Sequence, residues 1–310
     1  MTEPSRPRRG ATLRDSGARS ASGNVAGRSK TLLELARLQA LRLKSHRLVP
    51  SRPLRDAREA AAFIEARQMV MATAQTSLPS LAEVIAGRSL TGSWMAHPEA
   101  GRIYRILRQL IRSGVISVPL VLGKETLIDS SLGPAVERIA TDRQRIAKVR
   151  MKLTPLAQRL LAAVEARGQV RMDDWGVPTQ GARPARRLLE RQLLVVGSSF
   201  HTESGYHTSL VVPWTTSEIS KRFSKAATRL SWAQAVDALI LAGVRSAVLA
   251  PEREVRRWFV VDATGIDDLL TQEKLRRMAD ARTVYLTTGR ARATIRKPVR
   301  GSRSKDHRIP

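Results

Sequence analysis

The sequence predicts a mainly α protein with small β-hairpins, an α+β class in which one order of elements recurs three times. Three observations carry that expectation. Helix caps and apolar residues at a 3.6-residue period repeat along the middle of the chain. Pairs of β-prone runs around turn residues follow each group of helices. Both ends are rich in Gly, Ser, Pro and Arg, and have no apolar period.

Length and charge set the limits. The chain has 310 residues, enough for two or three small domains, and 42% hydrophobic residues, enough for real cores. Lys+Arg number 54 against 27 Asp+Glu, a net charge of +27. Arginine dominates, 44 to 10 over lysine; its fork binds phosphate oxygens in pairs. Segments 1–30 and 290–310 carry +5 and +7 and read as disordered basic arms, which leaves +15 on 31–289. The folded part is itself cationic, so the expected partner is a polyanion, double-stranded DNA first, with structured RNA as the alternative. Cysteine is absent, which removes disulfides, thiolate metal sites and cysteine nucleophiles. No apolar run reaches a membrane span, since 230–250 is broken by Asp237 and Arg245, and the start lacks a signal-peptide core. The expectation is a soluble, cytoplasmic, nucleoid-associated protein that does not bind membranes.

The elements follow in order. Thr31-Leu32-Leu33-Glu34 opens a leading helix with a capping box, and Leu35, Leu38 and Leu41 would dock it on the first unit. That first unit has helices over 54–67, 79–86 and 98–112. The last buries Ile103, Ile106, Leu107, Leu110 and Ile111 and turns Arg102, Arg105, Arg108 and Arg112 outward. Runs 115–122 and 126–129 around Gly123-Lys124 make its hairpin, and 129–150 reads as one linking helix.

The second unit gives the clearest pattern. Thr154-Pro155 caps a helix that ends at Gly168, a short segment 170–177 follows, and 182–194 is the next helix. Arg183, Arg187 and Arg191 recur every four residues on its outer side. Runs 194–200 and 206–212 enclose the turn His201-Thr202-Glu203-Ser204-Gly205, with His201 and His207 as phosphate contacts beside it. Three helices and a two-stranded wing describe a winged helix, whose third helix approaches DNA. In the third unit Ser231-x-x-Gln234 opens a helix, 251–259 and 264–272 follow, and 274–278 and 282–287 form the wing. Asp267 and Asp268 would repel phosphate, so this unit is expected to offer only Lys274, Arg276, Arg277 and Arg282. The domain reading is therefore an arm (1–30), a leading helix with winged helix 1 and linker (31–150), winged helix 2 (151–214), winged helix 3 (215–289) and a tail (290–310).

This order of units, together with Ala72-Thr73-Ala74-Gln75-Thr76 ahead of Leu78-Pro79-Ser80-Leu81, resembles the AlkZ-type DNA glycosylases over about 31–289. Ser93-Trp94-Met95-Ala96-His97-Pro98 and the 201–205 turn resemble uncharacterised relatives of that family. The family excises alkylated bases and unhooks crosslinks, and its Gln-x-Gln motif positions the water that attacks the sugar carbon. Gln75 matches the second glutamine, and Thr73 stands where the first would be. The resemblance thus implies Gln75 and Thr73 as catalytic residues. A glutamine amide accepts and donates at once and can hold such a water. An N7-alkylated purine is already cationic and leaves without a strong acid. With 12 aromatics in the whole chain, a deep stacking pocket for an extruded base is not expected.

Other chemistry finds little support. No GxxxxGK[ST] or GxGxxG is present, no metal-ligand spacing stands out, and no cofactor is implied. Trp94, Trp175, Trp214, Trp232 and Trp258 read as core pieces, with Trp94 beside His97 left open. The non-enzymatic alternative is a transcription or nucleoid-associated factor.

Overall fold

The structure, a computed structural model, describes residues 18–201, 207–259 and 265–288. Helix α1 (Ala18–Ser45) starts inside the stretch expected to be a disordered arm. No proline stands between Pro7 and Pro50 to stop it, so the Thr31 capping box falls within the helix. Its docking also differs from expectation. Leu35 and Leu38 pack with Val248, Leu249 and Met278, residues from the far end of the chain rather than the first unit.

Next come α2 (Ala57–Arg67), β1 (Met69–Met71), α3 (Leu81–Ala86), α4 (Ala100–Arg112), β2 (Ile116–Val121) and β3 (Lys124–Ile128). Asp56 caps α2 by accepting from the Glu59 N–H, and Ser80 caps α3 by accepting from Glu83. Leu54, expected inside the helix, is fully buried just ahead of it. The strands form an antiparallel sheet ordered β1-β3-β2. Alternating side chains of this sheet serve two cores. Val70 and Leu127 face α2, α3 and α4, while Met69, Met71 and Ile128 face the opposite cluster.

The single linking helix expected over 129–150 is two helices, α5 (Gly133–Ala140) and α6 (Arg143–Arg150). The break lies at Thr141-Asp142. The Thr141 hydroxyl donates to the Glu137 carbonyl, and the Asp142 carboxylate caps α6 by accepting from Arg145 N–H. Two side-chain bonds to backbone thus compete successfully with helix continuation.

A second group contains α7 (Pro155–Arg167), β4 (Val170–Arg171), α8 (Thr179–Arg191), β5 (Val195–His201) and β6 (His207–Pro213). Its sheet order is β4-β6-β5. Thr154 caps α7 and Gly168, at φ 73°, closes it. Residues 172–178 hold no helix, so this group has two helices where three were expected. Helix α9 (Glu218–Ala227), unforeseen in the sequence, then packs on α5. There Ser220 Oγ and Trp214 Nε1 both donate to the buried Glu137 carboxylate, at 2.7 Å each. The last group has α10 (Trp232–Ala247), β7 (Ala250–Pro251), α11 (Glu252–Val255), α12 (Gly265–Thr271), β8 (Leu275–Ala279) and β9 (Val284–Thr288), with sheet order β7-β9-β8. The Ser231–Gln234 capping box forms in both directions.

Among the described residues the three sheets are three-stranded and antiparallel with one order, and the two-stranded wings expected from sequence each gain a short strand from upstream. The largest apolar cluster joins the first sheet to α5, α9 and α10 and to the last sheet, so the first and third groups share one core. The middle group keeps its own core and reaches the shared one through Leu193 and Trp214. Trp214 and Trp258 are buried, while Trp94, Trp175 and Trp232 are partly so.

His46 fastens α1 to this core. Its Nε2 lies 3.1 Å from the Ser246 carbonyl, and Ser246 Oγ donates to the Met69 carbonyl. Burial, with Arg42 and Arg67 nearby, pushes the imidazole down from 6.5 to about 3. The unfolded chain therefore takes up a proton below pH 6.5 that the folded one refuses, and stability falls as the pH drops through that range. Urea titrations are expected to show about 2 kcal/mol lost between pH 6.5 and 5. His46→Gln, which keeps a donor to Ser246, should flatten that dependence; an unchanged slope would place the acid sensitivity elsewhere.

Candidate nucleic-acid interface

Helix α4 is amphipathic along its whole length. Ile103, Ile106 and Leu110 are buried, and the opposite face presents Gly101, Tyr104, Arg105, Arg108 and Arg112. Ile111, expected inside, joins the exposed face at 44% exposure, because the 100° step carries it past the edge of the buried stripe. The Arg108 guanidinium lies 5.6 Å from the centre of the Tyr104 ring. Arg102 is not available in the same way: it pairs with Glu99 at 2.7 Å and donates to the Ile85 carbonyl at 2.5 Å.

Helix α8 repeats the arrangement. Ala182, Ala185 and Leu189 are buried, and Arg183, Arg187 and Arg191 are exposed. Neither they nor Arg105, Arg108 and Arg112 has a carboxylate partner among the described residues, whereas Arg186 is held by Glu190 and by Ser209 Oγ. Burial pushes the Glu190 carboxyl up, partly offset by Arg186 and Arg187.

The β2–β3 hairpin packs on α8 and leaves a cleft of about 730 Å³. Lys124, Arg186, Arg187 and Arg191 give it a basic lining, and Glu125 and Glu190 are its carboxylates. Gly123 sets how closely the two elements meet. It sits at φ +67°, and a Cβ there would lie 2.3 Å from Arg191 Cδ. Gly123→Ala is expected to cost about 1–2 kcal/mol of stability from left-handed backbone and displacement of the Arg191 stem, read by thermal melting.

The Thr73–Gln75 loop starts beside this hairpin. The Ala72 N–H donates to the Glu125 carbonyl, and Glu125 also lines the cleft. Gln75 Nε2 donates to Thr73 Oγ1 at 3.0 Å in an exposed position. The far end of the loop is tied to the third group: Glu254 Oε1 accepts from Ser77 N–H (2.8 Å), Ser77 Oγ (2.7 Å) and Trp258 Nε1 (2.8 Å). Sequence reasoning missed Glu254, whose partner lies 177 positions away.

In the third group the expected wing cations are largely engaged. Arg276 pairs with Glu34 of α1 at 2.5 Å, and Arg277 pairs with Glu252 (2.7 Å) and Asp267 (3.3 Å), which Arg256 also holds. Arg277 first, and Arg256 next, hold the Glu252 carboxyl below its ordinary range. Arg282 remains exposed at the β8–β9 turn. The side chains of His201 and His207, and the turn between them, lie outside the described residues; their backbones pair across the hairpin. His97 Nε2 lies 2.7 Å from an Arg88 guanidinium nitrogen, and Trp94 packs on the first group's core.

Among the described residues no helix is long and apolar enough to cross a membrane. No family model matches the chain, and no curated protein does. The solved structure of the Streptomyces sahachiroi DNA glycosylase AlkZ is similar to it with a TM-score of 0.43 and 12% identity, covering 81% of this chain and 68% of that one.

Proposed function

We propose that the chain binds double-stranded DNA through the phosphate backbone, with α4 and α8 as the contacting helices of two winged-helix units. The proposed units are 31–150, 151–214 and 215–289, the third serving mainly as a support. One observation carries this: six guanidinium groups stand exposed along two helices without acidic partners among the described residues, in a chain of net charge +27. Free guanidinium rows bind phosphate and release counterions. Arg276 and Arg277 already have carboxylate mates and are left out of the contact set, while Arg282 stays in it. Association with the nucleoid follows from such binding.

Thr73 and Gln75 are the proposed water-holding pair of a base-excision activity. Gln75 Nε2 is engaged with Thr73, which leaves its amide oxygen and the Thr73 hydroxyl proton to orient a water for attack on the sugar carbon. The test uses duplex carrying N7-methylguanine. Release of the base by the wild type and its loss in Gln75→Ala is the expected result. No release by either protein, with duplex binding intact, would identify the non-enzymatic DNA-binding factor instead. That second outcome has its own support in the exposure of Gln75, while Thr73 is half-buried. Competition by structured RNA at fixed salt distinguishes the two nucleic acids.

A further inference from the structure

A second basic surface lies between α5, α6, the end of α8 and the start of α10, separate from the faces described above. Two arginines assemble it. Arg138 on α5 donates to the Leu230 carbonyl at 3.1 Å and to Asp142 at 3.0 Å, which brings Trp232 alongside α5. Arg145 on α6 is buried; it donates to the Ile139 carbonyl at 2.8 Å, the Ala140 carbonyl at 2.9 Å and the Gln192 carbonyl at 2.7 Å. Burial lowers its guanidinium to about 10. These bonds use up Arg138 and Arg145 and hold open a groove of about 1000 Å³.

The remaining lining has a specific chemistry. Arg143, Lys148 and Lys152 are exposed, and none has a carboxylate partner among the described residues. Asp142, the one carboxylate lining the groove among the described residues, is already paired with Arg138. Trp232 is partly exposed there. Gln192, also in the wall, keeps a buried amide oxygen that accepts no hydrogen bond among the described residues. That oxygen is closed to the groove and is no ligand contact. Unpaired cations and an indole together match a phosphate and an aromatic ring on one ligand.

We propose that this groove binds a nucleotide unit, with its phosphate on Arg143, Lys148 and Lys152 and its base on Trp232. Its source is either a free nucleotide or one residue of a single strand. Stacking on an aromatic ring is worth about 1–3 kcal/mol per base.

Binding of AMP, d(A)8, d(T)8 and inorganic phosphate to the full chain tests the proposal. Trp232→Leu is expected to weaken d(A)8 binding about tenfold. Lys148→Gln with Lys152→Gln should do likewise and lower the salt slope by about 1.4. Both lysines are exposed, so this pair decides the matter if Trp232→Leu fails to fold. Trp232→Leu should weaken d(T)8 binding as well, since every base has a face to stack. Displacement of d(A)8 by AMP assigns the groove to free nucleotides, and displacement only by oligonucleotides assigns it to strands. Displacement of d(A)8 by inorganic phosphate at the concentration at which AMP or an oligonucleotide displaces it, or wild-type binding by both variants, overturns the proposal. Arg105→Gln with Arg187→Gln should leave d(A)8 binding in place while duplex binding falls; loss of both together would show one shared surface and overturn a separate site.

Discussion

Replacing Arg105, Arg108 and Arg187 together with glutamine is expected to weaken duplex binding roughly 100-fold near physiological salt. Each removed solvent-exposed guanidinium–phosphate pair contributes about 1 kcal/mol, and about 3 kcal/mol corresponds to about two decades in Kd. The dependence of log K on log salt should become shallower by about 2.7, at about 0.9 per phosphate contact. All three side chains are exposed, and none has an ion-pair partner among the described residues, so folding should be unaffected, which circular dichroism would verify. The matched control is Arg276→Gln with Arg277→Gln. Because those cations serve Glu34, Glu252 and Asp267, the control should change duplex affinity less than twofold. Equal losses from both sets would mean that total charge, and not the two helical faces, governs binding.

Glu254→Ala carries the largest expected cost in stability. One carboxylate oxygen accepts three donors, two from Ser77 and one from the buried Trp258 indole. Removing the acceptor leaves a buried indole N–H and a backbone N–H unpaired. A loss of about 3 kcal/mol is expected, since unsatisfied buried donors cost about 1–3 kcal/mol each and neighbours are not additive. Glu254→Gln keeps an acceptor and should recover much of it. The functional readout is separate. The 72–80 segment ends at Ser77 and Ser80, and hydrogen exchange at residues 73–78 should quicken in Glu254→Ala beyond the global change. Uniform exchange across the chain would make Glu254 a purely global support.

Several features were legible in the sequence because their causes are local. The Thr154 and Ser231 caps, the glycine at 168 and the apolar stripes of α4, α7 and α8 depend on residues within a turn or two, and each recurs in the structure. The outward Arg rows of α4 and α8 follow from the same period. The short strands β1, β4 and β7 were not legible. At two or three residues they show no alternation, and only pairing with β3, β6 and β9 defines them. The α5–α6 break depended on side-chain bonds by Thr141 and Asp142 that residue type alone does not announce.

Sequence alone determined the basic balance, the α+β class and which helical faces carry arginine, since charge count and 3.6-residue periodicity are properties of the chain itself. Only the tertiary structure decided which of those arginines are free. Arg105 and Arg187 face outward and form no ion pair among the described residues, whereas Arg276 and Arg277 meet acids from positions 34, 252 and 267. An ion pair depends on where folding brings two distant residues, and no local pattern encodes that distance.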